Sequence, residues 1–186
     1  MKLCTSSKFS IKSFFKYEGG KNLSRFQFIA SDSPLKDVKN PYIEFFSINM
    51  ALTRGIELDD YLLDDPDIDR DDEKMMFICD SDEHMHEIEI KQEESPLYTE
   101  KYTQKKYVSE LRWIYSEERA LQLLDYIKEH LNDSNEVELW DTWMDDDQIS
   151  TIRHCTFENF SLEDIKKIYG GNFFKPECMI VRVGNR

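Results

Sequence analysis

The second half of the chain constrains the fold most tightly, because from about residue 105 to 184 strand-like runs alternate with two helical runs, each announced by its own cap. After the strand-like "KYVSELRWIY" comes "SEERALQLLDYIKEHL", where Ala120, Leu124, Ile127 and Leu131 recur at helical spacing and predict one buried stripe. Ser116 is placed to cap this helix. Glu117 and Glu118 in its first turn complement the positive end of the helix dipole. Asn132, Asp133, Ser134 and Asn135 break it. "EVELWDTWM" and "ISTIRHCTF" follow as strands, and the intervening Asp145, Asp146, Asp147 and Gln148 predict a hairpin between them. Ser161 then precedes "LEDIKKIYGG", with Asp164 at the capping-box position and Phe160 able to staple onto Ile165. Gly170 or Gly171 is expected to end this helix in left-handed geometry. "ECMIVRV" closes the series as a strand.

This βαββαβ order resembles the ferredoxin-like superfold. The resemblance implies a two-layer sandwich with an antiparallel sheet and both helices on one face. It implies no activity, since that architecture hosts many. The expected class is therefore α+β: a strand-rich N-terminal region over residues 1–100, carrying an acidic loop and a hairpin, and a ferredoxin-like domain over 105–186. In the N-terminal region "KFSIKSFFKY", "SRFQFIAS" and "PYIEFFSINMAL" read as strands, with a turn at Glu18 to Asn22 between the first two. Leu58, Tyr61 and Leu62 predict a short helix from near Ile56, stopped by Pro66. "MMFICD" and "HMHEIEIK" predict a second hairpin, and the polar run around Pro96 marks the boundary.

Charge is distributed unevenly. The formal net charge is -14, yet residues 1–55 sum to +5, residues 56–94 to -14 and residues 95–186 to -5. One segment thus accounts for the imbalance, which disfavours direct contact with nucleic acid and favours a basic protein partner. On this reading Asp59, Asp60, Asp64, Asp65, Asp67, Asp69, Asp71, Asp72 and Glu73 steer the partner, while Tyr61 or Trp140 anchors it. The expectation is an acidic interaction module, similar to bacterial immunity proteins in size, acidity and compartment. No apolar leader or membrane-length run is visible, so a cytoplasmic location is expected.

Chemistry-bearing groups are sparse. Asp65, Asp67 and Asp69 open like a calcium loop, but Arg70 and Met76 occupy the positions that require Gly and Glu. Cys79, His84 and His86 are the candidate zinc ligands, with Asp80 or Asp82 to complete a tetrahedron; otherwise no cofactor is expected. Trp140 and Trp143 fall on opposite faces of a regular strand. The scattered Cys4, Cys79, Cys155 and Cys178 read as free thiols. No nucleophile elbow, phosphate-binding glycine loop or dinucleotide fingerprint is present. The alternative to the interaction module is a metal-assisted or carboxylate-based enzyme with a pocket between the two halves.

Overall fold

A computed structural model describes residues 25–73, 75–92, 99–143, 151–171 and 176–184. The described residues fall into two compact units. One spans Asn40–His86, and the other is drawn from Lys21–Lys39 and Glu87–Arg186.

The larger unit is a six-stranded sheet in the order β4-β5-β1-β6-β8-β7. Its strands are β1 (Arg25–Ser31), β4 (Glu89–Gln92), β5 (Tyr107–Arg112), β6 (Glu136–Trp143), β7 (Thr151–Thr156) and β8 (Glu177–Arg182). All neighbours pair antiparallel except β7 and β8, which run parallel. Helix α3 (Glu117–His130) connects β5 to β6, and α4 (Leu162–Tyr169) connects β7 to β8. Both helices pack on one face. There Ala120, Leu123, Leu124 and Ile127 of α3 and Ile165 and Ile168 of α4 meet Ile29, Leu111, Val137, Leu139, Met179 and Val181 of the sheet. The opposite face buries Phe26, Phe28, Ala30, Val108, Trp140 and Cys178. This alternation is the period-2 geometry of strands buried on both sides.

The α+β class and the βαββαβ element order are as expected, and so is the antiparallel pairing except between β7 and β8. So are the helix caps: Ser116 Oγ accepts from the Arg119 N–H at 3.2 Å, and Asp164 accepts from the Ser161 N–H at 3.1 Å. The partners of the strands differ from expectation. β6 and β7 form no hairpin, because β8 lies between them. β1, assigned from sequence to the N-terminal region, sits between β5 and β6, and β4 forms the edge beside β5. The division into 1–100 and 105–186 therefore gives way to a sheet that draws on both, and the ferredoxin-like likeness stops at the order of elements along the chain. The reason is burial: Phe28, Ile29 and Ala30 are fully buried, which an edge or separate hairpin would not achieve. Gly170 caps α4 with φ -83, in right-handed rather than left-handed geometry.

The smaller unit pairs β2 (Ile43–Phe46) with β3 (Met76–Cys79) and adds the helices α1 (Ile48–Thr53) and α2 (Asp60–Asp64). Phe46, Ile48, Ala51, Leu62 and Met76 form its core. The run expected as one strand, "PYIEFFSINMAL", turns helical at Ser47, whose Oγ accepts from the Met50 N–H at 3.2 Å. Gly55 follows α1 with φ 73, a left-handed position that favours glycine. β3 pairs with β2 and not with β4, so the expected hairpin through Ser81, Asp82 and Glu83 is not formed. The strand and turn expected before Arg25, the Asp145–Gln148 segment and Pro96 lie outside the described residues.

Candidate active site

A concave feature of the larger unit arises where two paired strands part. β1 pairs with β6 along its whole length, from Ser31↔Val137 to Arg25↔Trp143, but its ladder with β5 ends at Phe28↔Glu110. β5 meanwhile stays paired with β4 as far as Arg112. A notch of about 590 Å³ opens between the first residues of β1 and the end of β5, with the C-terminal end of α4 at its side. Because it interrupts the sheet, residues from both faces line it. Arg25, Phe26 and Gln27 come from β1, Glu110 to Tyr115 from β5 and the run after it, and Tyr169, Gly170 and Gly171 from α4.

Three aromatic rings form one wall. Trp113 stands edge-on to Tyr115 at 5.9 Å and 66°, and to Tyr169 at 5.4 Å and 79°. The Trp113 Nε1, the Tyr115 hydroxyl and the Tyr169 hydroxyl are buried with no hydrogen-bond partner among the described residues. Buried polar atoms ordinarily find a partner, so these three are enclosed exceptions. Burial holds the Tyr169 phenol well above its ordinary pKa, with the Asp141 carboxylate adding to the effect. It therefore stays protonated at physiological pH.

Two guanidinium groups supply charge. Arg25 Nε donates to both carboxylate oxygens of Asp141, at 2.7 and 3.0 Å, and its Nη2 contacts the same group more closely still. That Nη2 also lies 3.5 Å from the Tyr169 carbonyl and 3.4 Å from that of Gly171. The cation thus sits at the negative end of the α4 dipole. Arg112 pairs with Glu110 at 2.7 Å and is more open, with 54% of its side chain exposed. Burial pushes the Asp141 carboxyl above the ordinary range despite the opposing pull of Arg25. The cleft thus sets aromatic rings beside two guanidinium groups, each paired with a carboxylate.

None of the partner-binding or metal-binding residues proposed from sequence lines this notch. Asp59, Asp60, Asp64, Asp65, Asp67, Asp69, Asp71, Asp72 and Glu73 are exposed on or near α2 and the loop after it, in the smaller unit. Some organise that loop: Asp65 Oδ1 accepts from the Asp67 N–H at 2.9 Å, and Asp69 Oδ1 from the Asp71 N–H at 3.0 Å. Tyr61 falls within α2. Trp140 is 3% exposed, stacked on Phe28 at 5.7 Å and bonded through Nε1 to Glu138, so it presents no surface anchor.

The zinc candidates do not converge. Cys79 is buried in β3, while His84 and His86 lie on a 3-10 turn rather than on one face of a strand. His84 is committed elsewhere: its Nδ1 is 2.5 Å from Asp80, and its ring stacks on Tyr42 at 3.9 Å. Among the described residues, no three His, Cys, Asp or Glu side chains are grouped to hold a metal ion. Cys79, Cys155 and Cys178 are free thiols, as expected. Burial raises the thiol pKa of both Cys155 and Cys178, strongly so for the latter, and none of the three lines the notch.

The sequence did contain a signal. Arg112, Trp113 and Tyr115 cluster at the junction of a strand and a capped helix, and Tyr169 precedes two glycines. Periodicity assigns these residues to element ends, where local pattern is least informative.

Fold and cleft together define an α+β protein with a concave site lined by aromatic rings and two arginines. The family is shown directly: residues 64–177, more than half of the chain, match the thymidylate synthase family, and the chain belongs to it. Comparison with curated proteins and with solved structures returned no match. The family match overturns the reading of an acidic, immunity-like interaction module. It spans Asp64 to Glu73 as well as the wall of the notch, so the acidic segment belongs to the family domain. The enzyme alternative fares better, although the notch lies within the larger unit.

Proposed function

We propose that this protein acts in nucleotide metabolism and that the notch between β1 and β5 holds a nucleoside monophosphate of the thymidylate class. The observation supporting this is the pairing of aromatic rings with guanidinium groups in one cleft of a chain from this family. The nucleobase lies against the aromatic wall of Trp113 and Tyr169. The phosphate turns toward Arg112 and Arg25, where charge-assisted hydrogen bonds are strongest. None of the described cysteines lines the cleft, so the work assigned to these residues is recognition and orientation. The compartment proposed is the cytoplasm; no helix among the described residues is long and apolar enough to cross a membrane.

Titration calorimetry and tryptophan fluorescence with thymidylate and deoxyuridylate test this reading. Binding should be saturable and quench Trp113 emission. Thymidine, lacking the phosphate, should bind about tenfold or more weakly. Trp113→Ala and Arg112→Ala should each reduce affinity by about one order of magnitude. Absence of saturable binding by either nucleotide, or equal binding of nucleotide and nucleoside, refutes it.

A further inference from the structure

Arg25 occupies two roles that compete. It lines the notch, and it is also the fork that grips Asp141, a residue of β6 that is only 4% exposed. Asp141 does not line the notch. It lies one strand behind, in the register Gln27↔Asp141↔Glu177 across β1, β6 and β8. The groups around it come from each neighbouring strand and from α4. Arg25 and Gln27 belong to β1, Tyr169 closes from α4, and Glu177, 7% exposed, stands directly across on β8 with Arg153 of β7 at 3.3 Å. This makes a transverse row of Arg25, Asp141, Glu177 and Arg153, with the two carboxylates inside and one guanidinium at each end.

We propose that Arg25 is shared between Asp141 and the anionic part of the bound ligand, and that Asp141 is the positioning residue controlling how much positive charge the notch presents. The inference rests on the nucleotide reading. With Asp141 ionised, its charge offsets that of Arg25, and an incoming anion meets a nearly neutral pair. When Asp141 is protonated, Arg25 keeps the contacts to the Tyr169 and Gly171 carbonyls that hold it at the wall, and its full charge faces the ligand. Anion binding and proton binding therefore favour each other, and by reciprocity each tightens the other to the same degree. The buried setting, which already disfavours the carboxylate form, places this exchange above the ordinary carboxylate range.

The test is calorimetric titration of the full chain with thymidylate from about pH 5 to 8, in two buffers of different ionisation enthalpy. Wild type should bind about tenfold more tightly at the acid end and take up protons on binding. Asp141→Asn keeps the side-chain shape, so it should bind tightly across the range, with only the ligand's own proton exchange remaining. A variant that binds more weakly at every pH, with wild-type proton uptake, would reduce Asp141 to a structural role and overturn the proposal. If Asp141→Asn does not fold, inorganic sulfate, which does not ionise in this range, is titrated into wild type. Proton uptake supports the linkage and its absence overturns it. No binding of thymidylate at any pH sinks the nucleotide reading as well, whereas binding without proton linkage sinks this inference alone.

Discussion

Helix α4 holds one side of the notch through a cap whose strength should depend on pH. It has only eight residues, too few to persist alone, so its ends and its packed face must supply its stability. Asp164 accepts from the Ser161 N–H at 3.1 Å, from the Ser161 hydroxyl at 2.7 Å and from Lys167 Nζ at 3.1 Å. Burial alone would raise this carboxyl, but Ser161 and Lys167 outweigh burial and hold it below the ordinary carboxylate range. Removing the side chain in Asp164→Ala deletes a cap worth roughly 1 kcal/mol and an exposed ion pair worth a few tenths. The expected loss near pH 7 is about 1–2 kcal/mol. Because the folded-state pKa is depressed, the ionic part of this stabilisation is complete above the unfolded value and disappears as pH falls through the folded one. Urea unfolding followed by tryptophan fluorescence at about pH 7 and about pH 3 should show a smaller penalty at the lower pH. An equal penalty at both pH values, or none at pH 7, would refute the argument that Asp164 acts as a charged cap.

Three further outcomes follow from the same geometry. Trp140→Ala should cost about 3–5 kcal/mol in urea melts, because the ring is buried against Phe28 on the face opposite the helices; a loss below about 1 kcal/mol would mean the ring is not in the core. His130 bonds Ser31 Oγ at 2.8 Å, and burial holds its imidazole below the ordinary value against a weaker upward pull from Asp133. Its contribution to stability should be complete above the ordinary value and fall as pH drops through the folded one, so His130→Gln should flatten the melting profile on the acid side of neutrality. Burial pushes Tyr126 up to about 12, so ultraviolet titration of wild type against Tyr126→Phe should show its tyrosinate forming later than that of an exposed tyrosine.

The local elements were legible from sequence for identifiable reasons. The capped runs at Ser116 and Ser161 became α3 and α4, because an N-cap followed by an apolar stripe at helical spacing is satisfied within one turn and needs no distant partner. "YVSELR", "EVELWDTW", "TIRHCT" and "ECMIVR" likewise became strands. The His84–His86 turn and α1 were missed. Short apolar runs satisfy helical and extended templates alike, and a Ser47 cap three residues before Met50 carries less weight than the aromatic run preceding it.

Strand partners and the site were decided only in three dimensions. A period of two tells which residues share a face but not which strand lies alongside, so nothing local placed β1 between β5 and β6 or β8 between β6 and β7. The notch depends on that choice. It exists because β1 follows β6 to Arg25 while leaving β5 at Phe28, and this brings Arg25 next to Trp113 and Tyr169, residues far apart in the chain. The conspicuous acidic segment drew attention because charge is visible in composition, whereas a cleft made by the parting of two strands has no compositional trace. Local hydrogen bonds and side-chain spacing determine elements; burial of both faces of β1 determines the sheet, and the sheet determines where a ligand can enter.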